Sequence, residues 1–532
     1  MKKFKNIYGF ALAVLLAGCS LDLDTVPKDA LSPSTFWKTQ KDVELALTGC
    51  YRGFESSSSI MYRDCASDDA YNNFPWEGFK NIANGTLTAA DPGSGYYSYA
   101  IINRCNEFLD GIEGTTFLSN DAKEAYKAQA RFLRAYRFFL MNISYGDVPL
   151  TLKNFATPEE AKVPRDPSAT VSEFIKTELE AIIPLLPASY DTKDYGKITK
   201  GAAQALLMRY YLYKGDNANA LSVAKSISGY SLFPSYSGLF NPENEKNSEV
   251  ILSVQQTQDL YRVDFTPFLP NGSGGWSSVV PTQDFVDAYE MADGTTIAEA
   301  QAAGTYDPAN PYKNRDPRLR ATVIYPGQLW QGKPFASIVD GDNNYHNKAD
   351  NATKTGYNYR KYLNHYDANP GAAYWNSGAD VFIFRYAEVL LTIAEASNEV
   401  SGPSAEVYAA LDQIRNRAGM PSVDQAKYNT KETLRNLIRN ERRVELAMEG
   451  LRRWDIIRWK TAPDVLNTTL MGTRRGTVLT TTQANGDFDV NLNLPANEIE
   501  VRTFDAGKNY LLPIPQSAID KNKNLNPNNP GY

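Results

Sequence analysis

Histidine is almost missing from this chain: His346 and His365 are the two in 532 residues. Neither a His-Glu-x-x-His nor a Gly-x-Ser-x-Gly motif occurs, so a zinc hydrolase and a serine nucleophile both lack their usual groundwork. Two lone histidines in a polar stretch read as surface groups rather than ligands. Cysteine is scarce as well, with Cys19, Cys50, Cys65 and Cys105 at spacings that fit no metal motif. No apolar run approaches the ~20 residues needed to span a bilayer. Positive charge is in deficit: 55 Lys and Arg against 61 Asp and Glu leave a net charge of −6. That balance argues against a nucleic-acid partner.

What is present at the start sets the compartment. Lys2, Lys3 and Lys5 precede a short apolar run, Phe10 to Ala17, and Leu16-Ala17-Gly18-Cys19 closes it. A basic start, a brief apolar core and small residues before a cut describe a secretory signal over residues 1–18. A cysteine directly after a Leu-small-Gly run resembles a bacterial lipobox, with Cys19 lipidated as the mature N-terminus and the protein anchored to the membrane rather than spanning it. Removing three lysines and no acids takes the formal charge from −6 to −9. Of Cys50, Cys65 and Cys105 at most one pair can form; an exported chain permits Cys65–Cys105.

The mature chain, 19–532, divides by pattern. Residues 19–256 read as an N-terminal helical scaffold interrupted by a loop at 56–100, rich in Ser, Asn, Gly and Pro. Apolar residues at helical spacing place helices at 42–51, from an Asp121/Glu124 capping box to Gly146, from a Thr170/Glu173 capping box to Leu186, and at 199–214 and 216–228. Residues 257–380 form an irregular lobe dominated by Gly, Pro, Asn, Tyr and Trp, with short strands. Helices return over 381–400, 404–418 and 431–460, the last broken at Gly450, and 511–532 is an ordered tail. The fold class is mainly α.

The segment Glu441 to Trp459 alternates Glu441, Glu445 and Asp455 with Arg442, Arg443, Arg452 and Arg453. Guanidinium neighbours lower a carboxylate pKa, the wrong direction for a general acid. These groups therefore read as structural ion pairs. Asp342, Asn343 and Asn344 offer oxygens that could hold a structural Ca²⁺, although a turn explains them as well; no other cofactor is implied.

Aromatics make up 12% of the chain, 33 of them tyrosines. A sugar has a C–H face suited to an aromatic plane and a hydroxyl rim suited to Asn, Asp and Arg. The candidate ligand-binding residues are Trp76 with Asn73 and Arg63 (Asn72 beside them), Trp276 after its glycine loop, and Trp330, Tyr345, Tyr357, Tyr359 and Trp375. Trp76 and Trp330 lead the set. Trp37, Trp454 and Trp459 lie in scaffold segments and read as core.

Several segments together resemble the SusD/RagB family of outer-membrane nutrient-binding lipoproteins. They are Leu21-Asp22 with Pro27, Ser32 and Phe36-Trp37; Ala130 to Tyr136 followed by Tyr145-Gly146-Asp147-Val148-Pro149-Leu150; Asp316-Pro317-Arg318-Leu319; and Arg385 to Leu391 with Ala394-Glu395-Ala396 and Asn398. The series continues with Asn440-Glu441-Arg442-Arg443, Glu445-Leu446, Glu449-Gly450, Arg453-Trp454-Asp455 and Arg458-Trp459. Leu512-Pro513-Ile514-Pro515 and Asn524 to Tyr532 end it. The resemblance implies about eight helices in four tetratricopeptide-like pairs with a loop-rich binding lobe, ligand groups in 56–100 and 257–380, and a source among the Bacteroidetes. It implies a non-catalytic protein that delivers a nutrient, an oligo- or polysaccharide, to a SusC-like TonB-dependent transporter. Peptide capture on the same architecture and a surface glycoside hydrolase stay open as alternatives. The three further cysteines depart from the family pattern.

Overall fold

The computed structural model describes residues 36–532. The signal segment, Cys19 and the stretch from Ser20 to Ser32 lie outside the described residues.

Helices carry the architecture. Thr39 and Asp42 form a reciprocal capping box that starts α1, Gln40–Tyr51. α2 is Ala100–Glu113 and α3 is Asn120–Tyr145. Ser119, not Asp121, caps α3: its side chain accepts from the Ala122 N–H. Gly146, at φ +70, closes that helix, and its N–H reaches the Asn142 carbonyl. α4, Ser168–Ile182, begins after Pro167 without a side-chain cap, so the expected Thr170/Glu173 box does not form. Thr199 and Asp216 cap α5, Lys200–Tyr213, and α6, Asn217–Ser226.

In the C-terminal part, α7 spans Tyr386–Ser401, α8 Ala405–Arg417, α9 Lys431–Glu445 and α10 Arg452–Arg458. One expectation is corrected, and the break expected at Gly450 is found to be wider than one residue. The apolar start of the expected 381–400 helix, Val381–Arg385, is a buried strand. Its alternation of β-branched and aromatic residues suits a sheet better than a helix. The expected 431–460 helix stops at Glu445 and restarts at Arg452, with Met448 and Gly450 at positive φ between them.

From α1 to α7, each of these helices packs on the next, and α7 then receives both α8 and α9. The contact between α6 and α7 bridges the irregular lobe and joins the two helical parts into one layer. Trp37 packs against Phe108 and over Gly111, where a Cβ would meet its ring at 2.2 Å. Trp454 is buried and Trp459 half-buried, in keeping with their scaffold assignment.

Strands occur as two-stranded antiparallel pairs. β1 (Ala70–Asn72) pairs with β3 (Val279–Pro281), and β2 (Val250–Val254) pairs with β4 (Val381–Arg385). A long hairpin, β5 (Thr469–Thr482) and β6 (Phe488–Val501), was not expected from the sequence. The segment 56–100 is less of a loop than its composition suggests. It holds short helices at Ser57–Tyr62 and Lys80–Asn84, and residues 60–72 run through the interior. The tail wraps the end of α3: Asn529 donates to the carbonyls of Tyr145 and Leu512, and Arg165 donates to the Asn529 side chain. It also contains one helical turn and a half, Gln516–Lys521. Cys50, Cys65 and Cys105 are buried free thiols, so the Cys65–Cys105 bridge is not formed.

A buried lattice of ion pairs crosses the molecule. Arg385 bonds Glu249, Glu445 and Glu449; Arg318 bonds Asp316, Glu441 and Glu445; Arg417 bonds Glu249 and Glu445. Arg442 and Arg458 share Asp455 and Glu395. The carboxylates are therefore paired, but mostly with guanidinia from other elements rather than from their own segment. Burial pushes Glu445 up, yet Arg417, Arg385 and Arg318 outweigh it and hold the carboxyl well below the usual carboxylate range.

Removing one partner leaves a buried charge uncompensated. Arg385→Met should therefore destabilise the fold by about 3–5 kcal/mol, measured by denaturant unfolding. A depressed folded pKa gives stability present above the unfolded value and lost as pH falls through the folded one. Wild-type stability should thus drop on acidification below about pH 4, and Glu445→Gln should show a smaller drop.

Candidate functional site

The site is built on the β1–β3 pair. Beyond Asn72, the Asn73 N–H donates to the Ser278 carbonyl at 2.8 Å. This bond sets the chain entering Phe74-Pro75-Trp76 beside the chain leaving Trp276. Pro75 opens a single 3₁₀ turn, Pro75–Glu77, that ends at Gly78 with φ +82. The turn is anchored from below. Glu77 accepts from the Tyr62 hydroxyl at 2.7 Å and from the Asn72 amide, and Tyr62 stacks on Phe79. Burial first, and Glu77 second, push the Tyr62 hydroxyl far above its ordinary range, so it remains a donor. With the turn so held, Trp76 stacks on Phe74 at 4.8 Å and stands 79% exposed.

The second edge comes from Asn271 to Trp276. Gly275 packs so tightly that a Cβ would lie 2.2 Å from the Leu269 carbonyl oxygen. Gly274 takes φ +84 and accepts at its carbonyl from the Tyr374 hydroxyl. Glycine is required at both. Trp276 then projects 43% exposed, and Trp375, in edge contact with Tyr374, is 52% exposed. Through the backbone bond Asn73–Ser278 and the Tyr374 hydroxyl on the Gly274 carbonyl, the segments that carry three exposed tryptophans adjoin.

The other sequence candidates lie beneath this surface. Trp330 is buried and donates its indole N–H to Ser273 Oγ at 2.9 Å, supporting the glycine loop from behind. Tyr345 is buried against His346. Tyr357 and Tyr359 are fully buried, and the Tyr357 hydroxyl donates to Gln283. Arg63 is buried, paired with Glu55 at 2.6 Å and lying over the Tyr96 ring. Asn73 spends its side-chain amide on the Asp350 carbonyl. For all six, the expected open position is corrected to an interior one. Composition cannot show which rings of an aromatic-rich lobe pack inward.

Phe74 and Tyr374 were missed, although Tyr374 directly precedes Trp375 and Phe74 lies two residues before Trp76. Both histidines are half-buried rather than on the surface, and burial takes His365 down to about 4. Asp342 accepts from the Asn344 backbone and amide, and Asn344 in turn accepts from the Gly272 N–H. The oxygens considered for Ca²⁺ thus close a turn that fastens the glycine loop. Among the described residues no group of three or more His, Cys, Asp or Glu side chains converges.

The model of the SusD family matches residues 247–532. The chain belongs to the SusD family. A second model, described as starch-binding associating with outer membrane, matches residues 23–212. SusD-like protein P2 of Formosa agariphila is 26% identical over the full length of both chains. A SusD-like carbohydrate-binding protein from Bacteroides fragilis, 29% identical, superposes with a TM-score of 0.81 over 92% of this chain and all of that one. The surface glycan-binding protein A of Bacteroides thetaiotaomicron in complex with laminarihexaose shares the SusD fold at 20% identity and a TM-score of 0.65, covering 92% and 99%. The mainly α, helical-pair architecture expected from the sequence is the one these SusD-like structures share.

Exposed and buried rings should separate cleanly in a stability assay. Trp330→Ala should cost about 3–5 kcal/mol, whereas Trp76→Ala should stay within about 0.5 kcal/mol of wild type. A large loss for Trp76→Ala in thermal unfolding would place that ring in the core.

Proposed function

We propose that the protein binds a glycan at the cell surface without altering it and delivers it to a SusC-like TonB-dependent transporter. The carrying observation is the shelf of adjoining, hydrogen-bonded segments from which Trp76, Trp276 and Trp375 are each exposed. Rings held in place before the ligand arrives lose little entropy on binding. Their planes suit the C–H faces of pyranose rings through dispersion and desolvation. Relatives described as carbohydrate-binding, laminarin-binding and glycan-binding support the ligand class. The carboxylates most suggestive of acid–base work in sequence, Glu441, Glu445 and Asp455, are locked in guanidinium pairs and held low. That supports a binding role over hydrolysis.

The proposed location is the outer membrane, through lipid on Cys19. The family model described as associating with outer membrane supports it. No helix among the described residues is long and apolar enough to cross a membrane.

Trp76→Ala should weaken glycan affinity about tenfold, or about 1.4 kcal/mol, by affinity electrophoresis against immobilised polysaccharides. Wild-type protein should release no reducing ends from the same polymers; release by pure protein would point to a hydrolase. Tight retention of peptides in place of sugars would favour the peptide alternative. Cys19→Ala should move the protein from the membrane pellet to the soluble fraction, and persistence in the pellet counts against the anchor.

A further inference from the structure

A cleft of about 580 Å³ lies away from the β1–β3 pair, between the end of α1 and the segments at 195–197 and 253–262. Its size falls within the roughly 300–1,000 Å³ of small-ligand pockets. Three of its tyrosines are fixed by their hydroxyls. Tyr51 donates to Gln129 and accepts from the Ile198 N–H, Tyr126 donates to Glu44, and Tyr195 donates to the Glu245 carbonyl. A fourth ring, Tyr261, is 71% exposed at the rim.

The wall opposite α1 is equally fixed. Asp380 accepts from the Ser253 hydroxyl and the Gln256 N–H, and its own N–H donates to Glu245. Asp259 exchanges two hydrogen bonds with the Asn376 side chain, which ties the Tyr261 hairpin to the turn that carries Trp375. The cleft therefore adjoins the end of the shelf.

Charge distinguishes it from the shelf. Glu55 is taken up by Arg63 and Tyr136, and Lys197 by Asp194. Arg52 and Arg262 line the cleft, are exposed, and meet no carboxylate among the described residues. Among the residues that line the cleft, two guanidinia thus stand against one remaining carboxylate, Glu44, while Asp380 and Glu245 behind the wall are engaged by its hydroxyl and backbone N–H groups. A guanidinium offers paired N–H donors that match a carboxylate or sulfate, and tyrosine rings suit the sugar carrying it.

We propose that this cleft is a second saccharide-binding site, selective for a sugar residue that bears a carboxylate or sulfate. The inference rests on the reading of the nutrient as a glycan and extends it to the class of glycan. Full-length protein in detergent would be applied to an array of neutral, uronate-containing and sulfated oligosaccharides. The variants would be Arg52→Gln with Arg262→Gln, Gly49→Leu, and Trp76→Ala with Trp276→Ala. Gly49 lines the cleft, and a Cβ there meets nothing within 4 Å. A side chain at this helical position should plug the cleft while favouring the helix.

The double arginine variant and Gly49→Leu should each lose about tenfold in binding to the anionic sugars, with neutral binding and melting temperature unchanged. The uronate and sulfate arms show which anion is taken. Wild-type binding confined to neutral glycans overturns the proposal, as does anionic binding that survives both cleft variants. Either result leaves the shelf standing if the tryptophan variant alone abolishes capture. Absence of glycan binding anywhere removes the shelf reading together with the cleft.

Discussion

Arg385 stands at the centre of a set of buried charges. It is 1% exposed by side chain and bonds three glutamates from two distant parts of the chain, Glu249 on one side and Glu445 and Glu449 on the other. Desolvating so many ions is expensive, and mutual attraction offsets the cost only where geometry is good and each oxygen has a donor. The carboxylates around Arg385 meet that condition by sharing: Glu445 alone receives Arg318, Arg385 and Arg417. Such a network specifies one arrangement of the elements that supply it, since a shift of any of them strands a charge.

The shelf depends on this arrangement. Arg443 and Arg452 extend the lattice to Asp68 and Asp69. β1 begins at the next residue, Ala70, and Asn73 and Phe74 follow directly. The C-terminal helices thereby fix where the N-terminal turn presents Trp76. Crowding leaves a trace at Asp69: burial pushes it up, Arg443 pulls it down and Asp68 pushes it up again, leaving it above the usual carboxylate range. Buried charge pairing thus holds the segment from which the exposed ring of Trp76 projects.

Inward and outward aromatics also cooperate. Trp330 and Trp276 belong to one lobe, and sequence ranks them alike. The structure buries the first behind Ser273, and this backing keeps the glycine loop where the second can project. Asn344, bonded to Gly272 from the turn begun at Asp342, secures the same loop. The oxygens that the sequence offers to a metal are thus used to position an aromatic.

Local chemistry made much of this legible. Side-chain caps at Thr199, Asp216 and Ser404 and the stop at Gly146 mark helix limits, because they satisfy the backbone groups that a helix end leaves open. Val381–Arg385 escaped because a short apolar run has no period that tells strand from helix, and only pairing with β2 decided it. Alternating charge from Glu441 onward declared ion pairs, yet many of the partners come from other segments, some more than 100 residues away, as with Arg318 and Glu441. Spacing along one segment cannot name them. By itself the sequence determined the mainly α class and the family, since these follow from residue type and local order. The tertiary structure alone decided which rings face water, because burial is set by what packs against a side chain from elsewhere in the chain.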